Sequence, residues 1–238
     1  MALYRDEAIV IRTYKLGEAD RIVVLFTMGR GKLRSVAKGV RKTTSRFGSR
    51  LEPMSHVALQ LYEGRELDTI TQAETIDVFR PLREDLDRIA RASALLEAVE
   101  QMVHDREPNP RLFAMLLGAL RTLAAQDHPL IVPAFFWKLL ALEGYAPMVE
   151  ACVACGAEEG LVAFDIDEGG ALCTAHRKGT ALSPEAMGLL QLILAGRVAA
   201  ALAQPPSPPA VEVEHLATRA MEHHLERRLR SLNVLDRG

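Results

Sequence analysis

The sequence predicts an α+β multidomain protein: a small N-terminal β-barrel, then an α-helical domain with a metal-binding module inserted in it. Three observations carry that expectation. The first eighty residues hold five short runs rich in β-branched side chains. From Pro81 onward, apolar residues recur at spacings of three and four. All three cysteines and one histidine then fall within residues 152–176.

The predicted strands are 7–14, 21–27, 32–39, 56–64 and 67–79, separated by turn chemistry at 15–20, at Gly29-Arg30-Gly31 and at Gly64-Arg65. β-Branched and aromatic residues suit a pleated, half-buried surface, and glycine with clustered polar residues suits the turns. Five strands in eighty residues favour a closed barrel over a sandwich. The OB-fold fits that count, and an SH3-like barrel satisfies it too. Residues 1–80 are the expected barrel domain, 81–238 the helical domain, and 150–178 the metal module.

The helices follow in order. Leu82, Leu86, Ile89, Ser93, Leu96, Val99 and Val103 share one helical face, and Glu107–Pro110 ends that run. A second helix is expected over 111–125, with Leu112, Met115, Leu116, Leu120 and Leu123 inward. A third, over 132–143, is apolar nearly all round and so belongs to a core. Gly144 and Pro147 stop it. Ser183-Pro184 has the form of an N-cap followed by proline at the first helical position, opening a helix to about 203. A proline-rich joint at 203–210 precedes a last helix over 211–232. Its PxxP spacing is read as a loop between helices rather than as a ligand motif.

Bulk properties narrow the function classes. The start of the chain carries charge where a signal peptide has its apolar run, and no run of eighteen apolar residues occurs. With an odd number of closely spaced cysteines, this fits a reducing compartment and a cytoplasmic protein. The net charge of −2 conceals an asymmetry. Residues 1–80 carry a net +4 and residues 81–238 a net −6. Between Asp20 and Glu52 there is no acid, but nine bases: Arg21, Arg30, Lys32, Arg34, Lys38, Arg41, Lys42, Arg46 and Arg50.

That stretch has two halves. In a strand from Gly31, Lys32, Arg34, Val36 and Lys38 face one side, and Leu33, Ser35 and Ala37 the other. Residues 39–50 lack periodicity and read as a long basic loop. A basic stripe attracts phosphate backbones because binding releases condensed counterions. A barrel groove with aromatic rings holds single strands because every base has a π-face. Phe47 lies in the loop, and Tyr14, Phe26 and Tyr62 lie on nearby strands. The plainer reading is a solvated face with Phe47 anchoring its loop. The expected nucleic-acid contacts are Arg30, Lys32, Arg34, Lys38, Arg41, Lys42, Arg46 and Arg50. The Gly29–Lys32 stretch lacks the spacing and the Ser/Thr of a phosphate loop.

In the cysteine segment, Cys152-x2-Cys155 is followed after seventeen residues by Cys173-x2-His176. Each pair turns two side chains toward one ion, and two pairs supply the tetrahedral sulfur and imidazole set that zinc prefers. Four protein ligands leave no open position, so one structural Zn2+ is expected. The intervening residues should form a hairpin with Leu161, Ala163 and Phe164 packed over the metal. The plain alternative is a set of small buried residues without a metal. No HExxH, GxSxG, phosphate-loop or dinucleotide fingerprint occurs, so no catalytic residue is assigned and an enzyme is not expected. His223-His224 are read as surface residues.

Three stretches carry a resemblance: EADRIVVLFTMGRGKLRSVAKGVRKTTSRFGSRLEP (18–53), LLALEGYAPMVEACVACG (139–156) and ERRLRSLNVLD (226–236). Together the chain resembles the bacterial DNA-repair and recombination mediator family RecO. The resemblance implies an N-terminal OB-fold, a central helical domain and a zinc module, with His176 where the four-cysteine form has cysteine. It implies binding of ssDNA and dsDNA, and annealing of complementary strands coated with single-strand-binding protein (SSB). It further implies RecA loading together with RecR, docking of the SSB C-terminal tail on the helical domain, and a cytoplasmic, nucleoid-associated location without membrane contact. A zinc-containing transcription regulator and an RNA-binding OB protein are the rival readings, with a zinc hydrolase behind them.

Overall fold

The computed structural model describes residues 2–43, 45 and 47–231. It contains two compact units, the first running to Ala125 and the second starting at Gln126.

The first unit is built on a closed barrel. Its strands are β1 (Leu3–Leu16), β2 (Asp20–Thr27), β3 (Gly31–Ala37), β4 (His56–Tyr62) and β5 (Asp68–Asp77), in the order β1-β2-β3-β5-β4. The long β1 pairs with both β2 and β4, and closure comes from a parallel β3–β5 contact at Ser35–Asp68 and Val36–Thr69. That is the OB topology, which removes the SH3-like alternative. Alternation places Ala8 and Val10, Val23 and Leu25, Leu33, Val57, Leu59, Leu61 and Ile70 in one interior cluster. A bulge between Val10 and Arg12 shifts the phase of β1, so that Arg12 and Tyr14 share the outward face.

Part of the outer wall is also buried, because helices cover it. Helices α1 (Arg80–Arg83), α2 (Leu86–Met102) and α3 (Pro110–Ala125) belong to the same unit as the barrel. The Phe26 ring lies 5.9 Å from that of Phe113. The expected single helix over 82–103 is two helices. Asp85 is extended and its side chain accepts a hydrogen bond from the Arg88 N–H, so it caps a fresh start. Leu86, assigned to the buried face by its spacing, is 82% exposed because it sits at that new N-terminus.

The second unit packs around α4 (Ile131–Leu142), whose apolar circumference is buried from Ile131 through Trp137 and at Leu139 and Leu140. A three-stranded sheet follows: β6 (Leu161–Asp165), β7 (Gly170–Cys173) and β8 (Thr180–Ala181), ordered β7-β6-β8. The Phe164 ring sits 5.6 Å from that of Trp137, joining the hairpin to the core. Three helices complete the unit: α5 (Pro184–Leu194), α6 (Val198–Leu202) and α7 (Pro208–His224).

Two expected helices are shorter than their patterns. Ser183 caps α5 through a bond from the Ala186 N–H, as its sequence suggests, but the chain turns at Ala195–Arg197 before α6 begins. The last helix starts earlier, inside the proline stretch, since proline is tolerated in a first turn. It stops at His224, where Glu226 takes a positive φ of 53°. Arg227, Arg228 and Arg230 therefore lie beyond the helix. Among the described residues, no helix is long and apolar enough to cross a membrane.

Candidate metal centre and candidate nucleic-acid interface

The four residues chosen by spacing meet in space. The ligand atoms of Cys152, Cys155, Cys173 and His176 all lie within 4.8 Å of one another. The Cys155 and Cys173 sulfurs are 3.8 Å apart, and His176 Nδ1 is 3.4 Å from Cys173 Sγ and 3.8 Å from Cys152 Sγ. These are not disulfide distances, which are about 2 Å. A tetrahedral ion with metal–sulfur bonds of about 2.3 Å has sulfur–sulfur edges of about 3.8 Å. The donor set and its edges thus fit one metal ion.

The local fold prepares the thiols. The Gly156 N–H donates to the Cys152 carbonyl at 2.8 Å, and the Cys152 N–H to the Ala157 carbonyl at 2.8 Å. Gly156 makes this knuckle with φ at +75°, a conformation costly for other residues. The second pair enters from the hairpin, with Cys173 opposite Leu161 and His176 in the 3-10 turn Thr174–His176. The Cys152 thiol is lowered from 9.0 to about 6, first by the Cys173 backbone N–H and then, against burial, by those of Ala154 and Cys155. Cys173 is lowered through its hydrogen bond with His176, and the same bond raises His176. In the opposite direction, the Ala157 N–H lowers Cys155, but the hydrogen bond with Cys152, burial and the hydrogen bond with Cys173 together outweigh it and raise the thiol. One cysteine more reluctant to ionise beside two readily ionised ones is the pattern of negative charges crowded where a cation would neutralise them.

The basic stretch divides differently from its charge count. β3 has the expected faces: Leu33, Ser35 and Ala37 are buried, and Arg34 is exposed. Lys32 is turned into the fold. Its Nζ donates to the Glu100 and Val103 carbonyls at 2.8 and 2.7 Å and lies 3.2 Å from Asp105. It thus satisfies free carbonyls at the end of α2 and tethers that helix to the barrel. Gly31 beside it touches the Glu107 backbone, where a Cβ would come within 2.0 Å of the carbonyl oxygen.

Arg30 is also engaged, stacked 3.8 Å over the Tyr4 ring and paired with Glu63 at 3.4 Å. Below it, the buried Asp68 carboxylate accepts from the Tyr4 hydroxyl, from Arg106 at 2.8 Å and from the Gly64 N–H at 3.1 Å. Burial pushes Asp68 up, but those hydrogen bonds and the charge of Arg106 outweigh it and hold the carboxyl below 3.8. Tyr4 is driven up by burial and by Asp68, so its phenol stays protonated.

Five of the other bases face outward. Arg34, Lys38, Arg41, Lys42 and Arg50 are exposed. Arg41 donates to the Gly17 and Glu18 carbonyls and so also braces the β1–β2 turn. Arg50 donates to the Phe47 carbonyl. Among the described residues, Arg34, Lys38 and Lys42 carry no ion pair. Arg46 lies outside the described residues. Phe47, considered as a stacking ring, is 1% exposed and belongs to the barrel interior, so it anchors its loop instead.

The sequence reading missed a cleft of about 470 Å³ in the second unit, walled by Trp137, Tyr145, Phe164, Asp167, His223 and His224 among others. His223 and His224, taken as plain surface residues, form part of it. The His224 ring is 3.9 Å from that of Tyr145, and His223 Nε2 is 3.6 Å from Asp167. Helical spacing of α7 toward the hairpin could not be read from either segment alone.

An OB-type barrel with an exposed basic edge, joined to helices and to a unit with a Cys3His cluster, defines a class of barrel-containing DNA-repair proteins once relatives are considered. The Recombination protein O N terminal family matches residues 1–79, and the Recombination protein O C terminal family matches residues 83–233. The chain is 46% identical over 248 residues to a DNA repair protein RecO of Nocardioides sp. strain JS614, covering 99% of this chain and all of that one. It is 41% identical over 244 residues to the DNA repair protein RecO of Thermobifida fusca strain YX, covering all of both chains. The chain belongs to the RecO family of DNA repair and recombination proteins.

Proposed function

We propose that this protein is a non-enzymatic recombination mediator. It binds single- and double-stranded DNA, anneals complementary strands coated with SSB, and with RecR promotes RecA loading. The observation that supports this reading is the exposed set Arg34, Lys38, Arg41, Lys42 and Arg50 on a barrel whose covered wall leaves that edge open. Annealing needs two strands close together with their charge neutralised and their bases free, which a phosphate-binding surface provides without base-reading pockets. Arg46 is assigned to phosphate contact from its place in the basic stretch of the sequence alone. Arg30 and Lys32 contribute to its field from engaged positions. The helical domain is the place for the SSB tail.

In this reading the Cys152, Cys155, Cys173 and His176 group holds one structural Zn2+. The ion supplies cross-linking of the knuckle to the hairpin. These residues supply closed coordination with no vacant position for substrate. The regulator alternative loses support, since Arg227, Arg228 and Arg230 do not lie on α7.

The test is strand annealing without nucleotide. Two complementary strands, each coated with SSB, are mixed with the wild-type chain and with an Arg34→Ala/Lys38→Ala/Lys42→Ala variant. Faster duplex formation that is lost in the variant supports the mediator reading. Good DNA binding with no acceleration refutes annealing.

A further inference from the structure

Four aromatic rings were candidates to stack bases, and two of them are closed off. Phe47 fills the barrel, and Phe26 is fully buried against Phe113. Tyr14 and Tyr62 are 40% and 44% exposed. Strand register relates them. Tyr14 pairs with Ile22, Ile22 with Val36, Val36 with Thr69, and Thr69 with Tyr62. Paired residues on neighbouring strands share a face. The interior positions Val23, Leu25, Leu33, Ala37, Leu61 and Ile70 fix this row as the outward one.

The row therefore crosses all five strands on the outside of the barrel, with an aromatic ring at each end and partly exposed Ile22, Val36 and Thr69 between them. Four strand spacings of about 4.8 Å put the two tyrosines about 19 Å apart along the surface. Charge brackets the row. Arg34 stands two residues before Val36 on the same face, and Lys38 follows the end of β3, both exposed and without ion pairs among the described residues. The Tyr14 hydroxyl accepts from Arg12 at 3.4 Å, which orients the ring from its edge.

We infer that this row is a stacking platform for the bases of single-stranded DNA, with Tyr14 and Tyr62 as its rings and Arg34 and Lys38 holding the phosphates alongside. The inference rests on the DNA-binding reading above and deepens it, because it separates two kinds of contact. Cations meet phosphate in either form of DNA. Rings on an open surface meet base faces only where the bases are unpaired, so the tyrosines serve single strands.

The test measures affinity for an oligo-dT strand and for a duplex of equal length, over a range of salt, in Tyr14→Ala, Tyr62→Ala, the double variant and the corresponding Tyr→Phe variants. Each Tyr→Ala change should weaken single-strand binding about fivefold or more, leave duplex binding unchanged, and leave the salt slope unchanged, while Tyr→Phe retains affinity. As a check that needs no variant, oligo-dT should protect Tyr14 and Tyr62 from nitration while leaving the exposed Tyr145 reactive. Wild-type binding with unchanged Tyr→Ala affinity and no protection overturns the platform alone. Absence of single-strand binding by the wild-type chain overturns the DNA reading beneath it.

Discussion

The metal knuckle and the basic stretch were both visible as patterns of residue type, yet the structure treats them differently. In the knuckle, every member named by spacing reaches the common centre. In the basic stretch, Lys32 and Arg30 leave the group for carbonyls, an aromatic ring and carboxylates of the first unit. Coordination requires all its ligands at once, so its spacing constrains each of them. A charge run has no such closure, and each long side chain is free to find a local partner. A ligand set can therefore be read residue by residue, whereas a charge run identifies an edge of the fold but not its working members.

The largest expected effect comes from taking the closure away. Structural zinc contributes about 10 kcal/mol or more in isolated zinc-finger peptides. Here the hairpin also rests on the Phe164–Trp137 contact, so the loss should be smaller and local. Cys152→Ser/Cys155→Ser should abolish the bound metal measured by elemental analysis and expose β6 and β7 to hydrogen exchange. Metal affinity should also weaken as pH falls below about 6, where protons begin to compete with the ion for the Cys152 thiolate. A fully stable variant, with no metal in either form, would refute the centre and erase the contrast with the basic stretch.

Next in size is the buried network under Arg30. Asp68→Ala leaves the partly exposed Arg106 and the Tyr4 hydroxyl without their shared acceptor and should cost about 1 to 3 kcal/mol, read by denaturant unfolding. Because Asp68 titrates below its ordinary value of 3.8, its contribution is complete above that value and fades as pH falls through the depressed one. The wild-type chain should thus lose stability on acidification below about pH 4 more steeply than the variant. Parallel pH profiles would show that the network contributes nothing.

The basic face comes third. Arg34→Ala/Lys38→Ala/Lys42→Ala should reduce the log–log salt slope of duplex binding by about 2 to 3, since each lost phosphate contact removes about 0.9. Stability should be unchanged, because none of the three carries an ion pair among the described residues. An unchanged slope would remove these residues from the interface.

The barrel was legible because its signals are local: β-branched alternation, a glycine-bearing turn and an interior face repeated every second residue. Leu33, Ser35 and Ala37 fell inside as alternation required. The helices were legible as periodic runs but not at their breaks. Asp85 inside the 82–103 pattern is a capping residue that leaves the spacing of Leu82 and Leu86 intact, so periodicity passes over it. The C-terminal end of the third resembling stretch, from Leu232, lies outside the described residues. Phe47 was ambiguous because a ring in a basic loop looks alike whether it stacks on a base or plugs a barrel; only tertiary packing distinguishes the two.

Lys32→Met should give the smallest effect on DNA and is the sharpest probe of the division within the stretch. The aliphatic stem can still pack, but the Glu100 and Val103 carbonyls lose their donor and Asp105 its cation. A cost of about 1 to 3 kcal/mol is expected from these charge-assisted bonds. The salt slope should stay within experimental error of wild type, since a lysine held by α2 has no phosphate to release. A slope reduced by about 1 would mean that DNA outcompetes the helix for this ammonium. The tether would then be a resting contact, and α2 would feel the arrival of DNA through it.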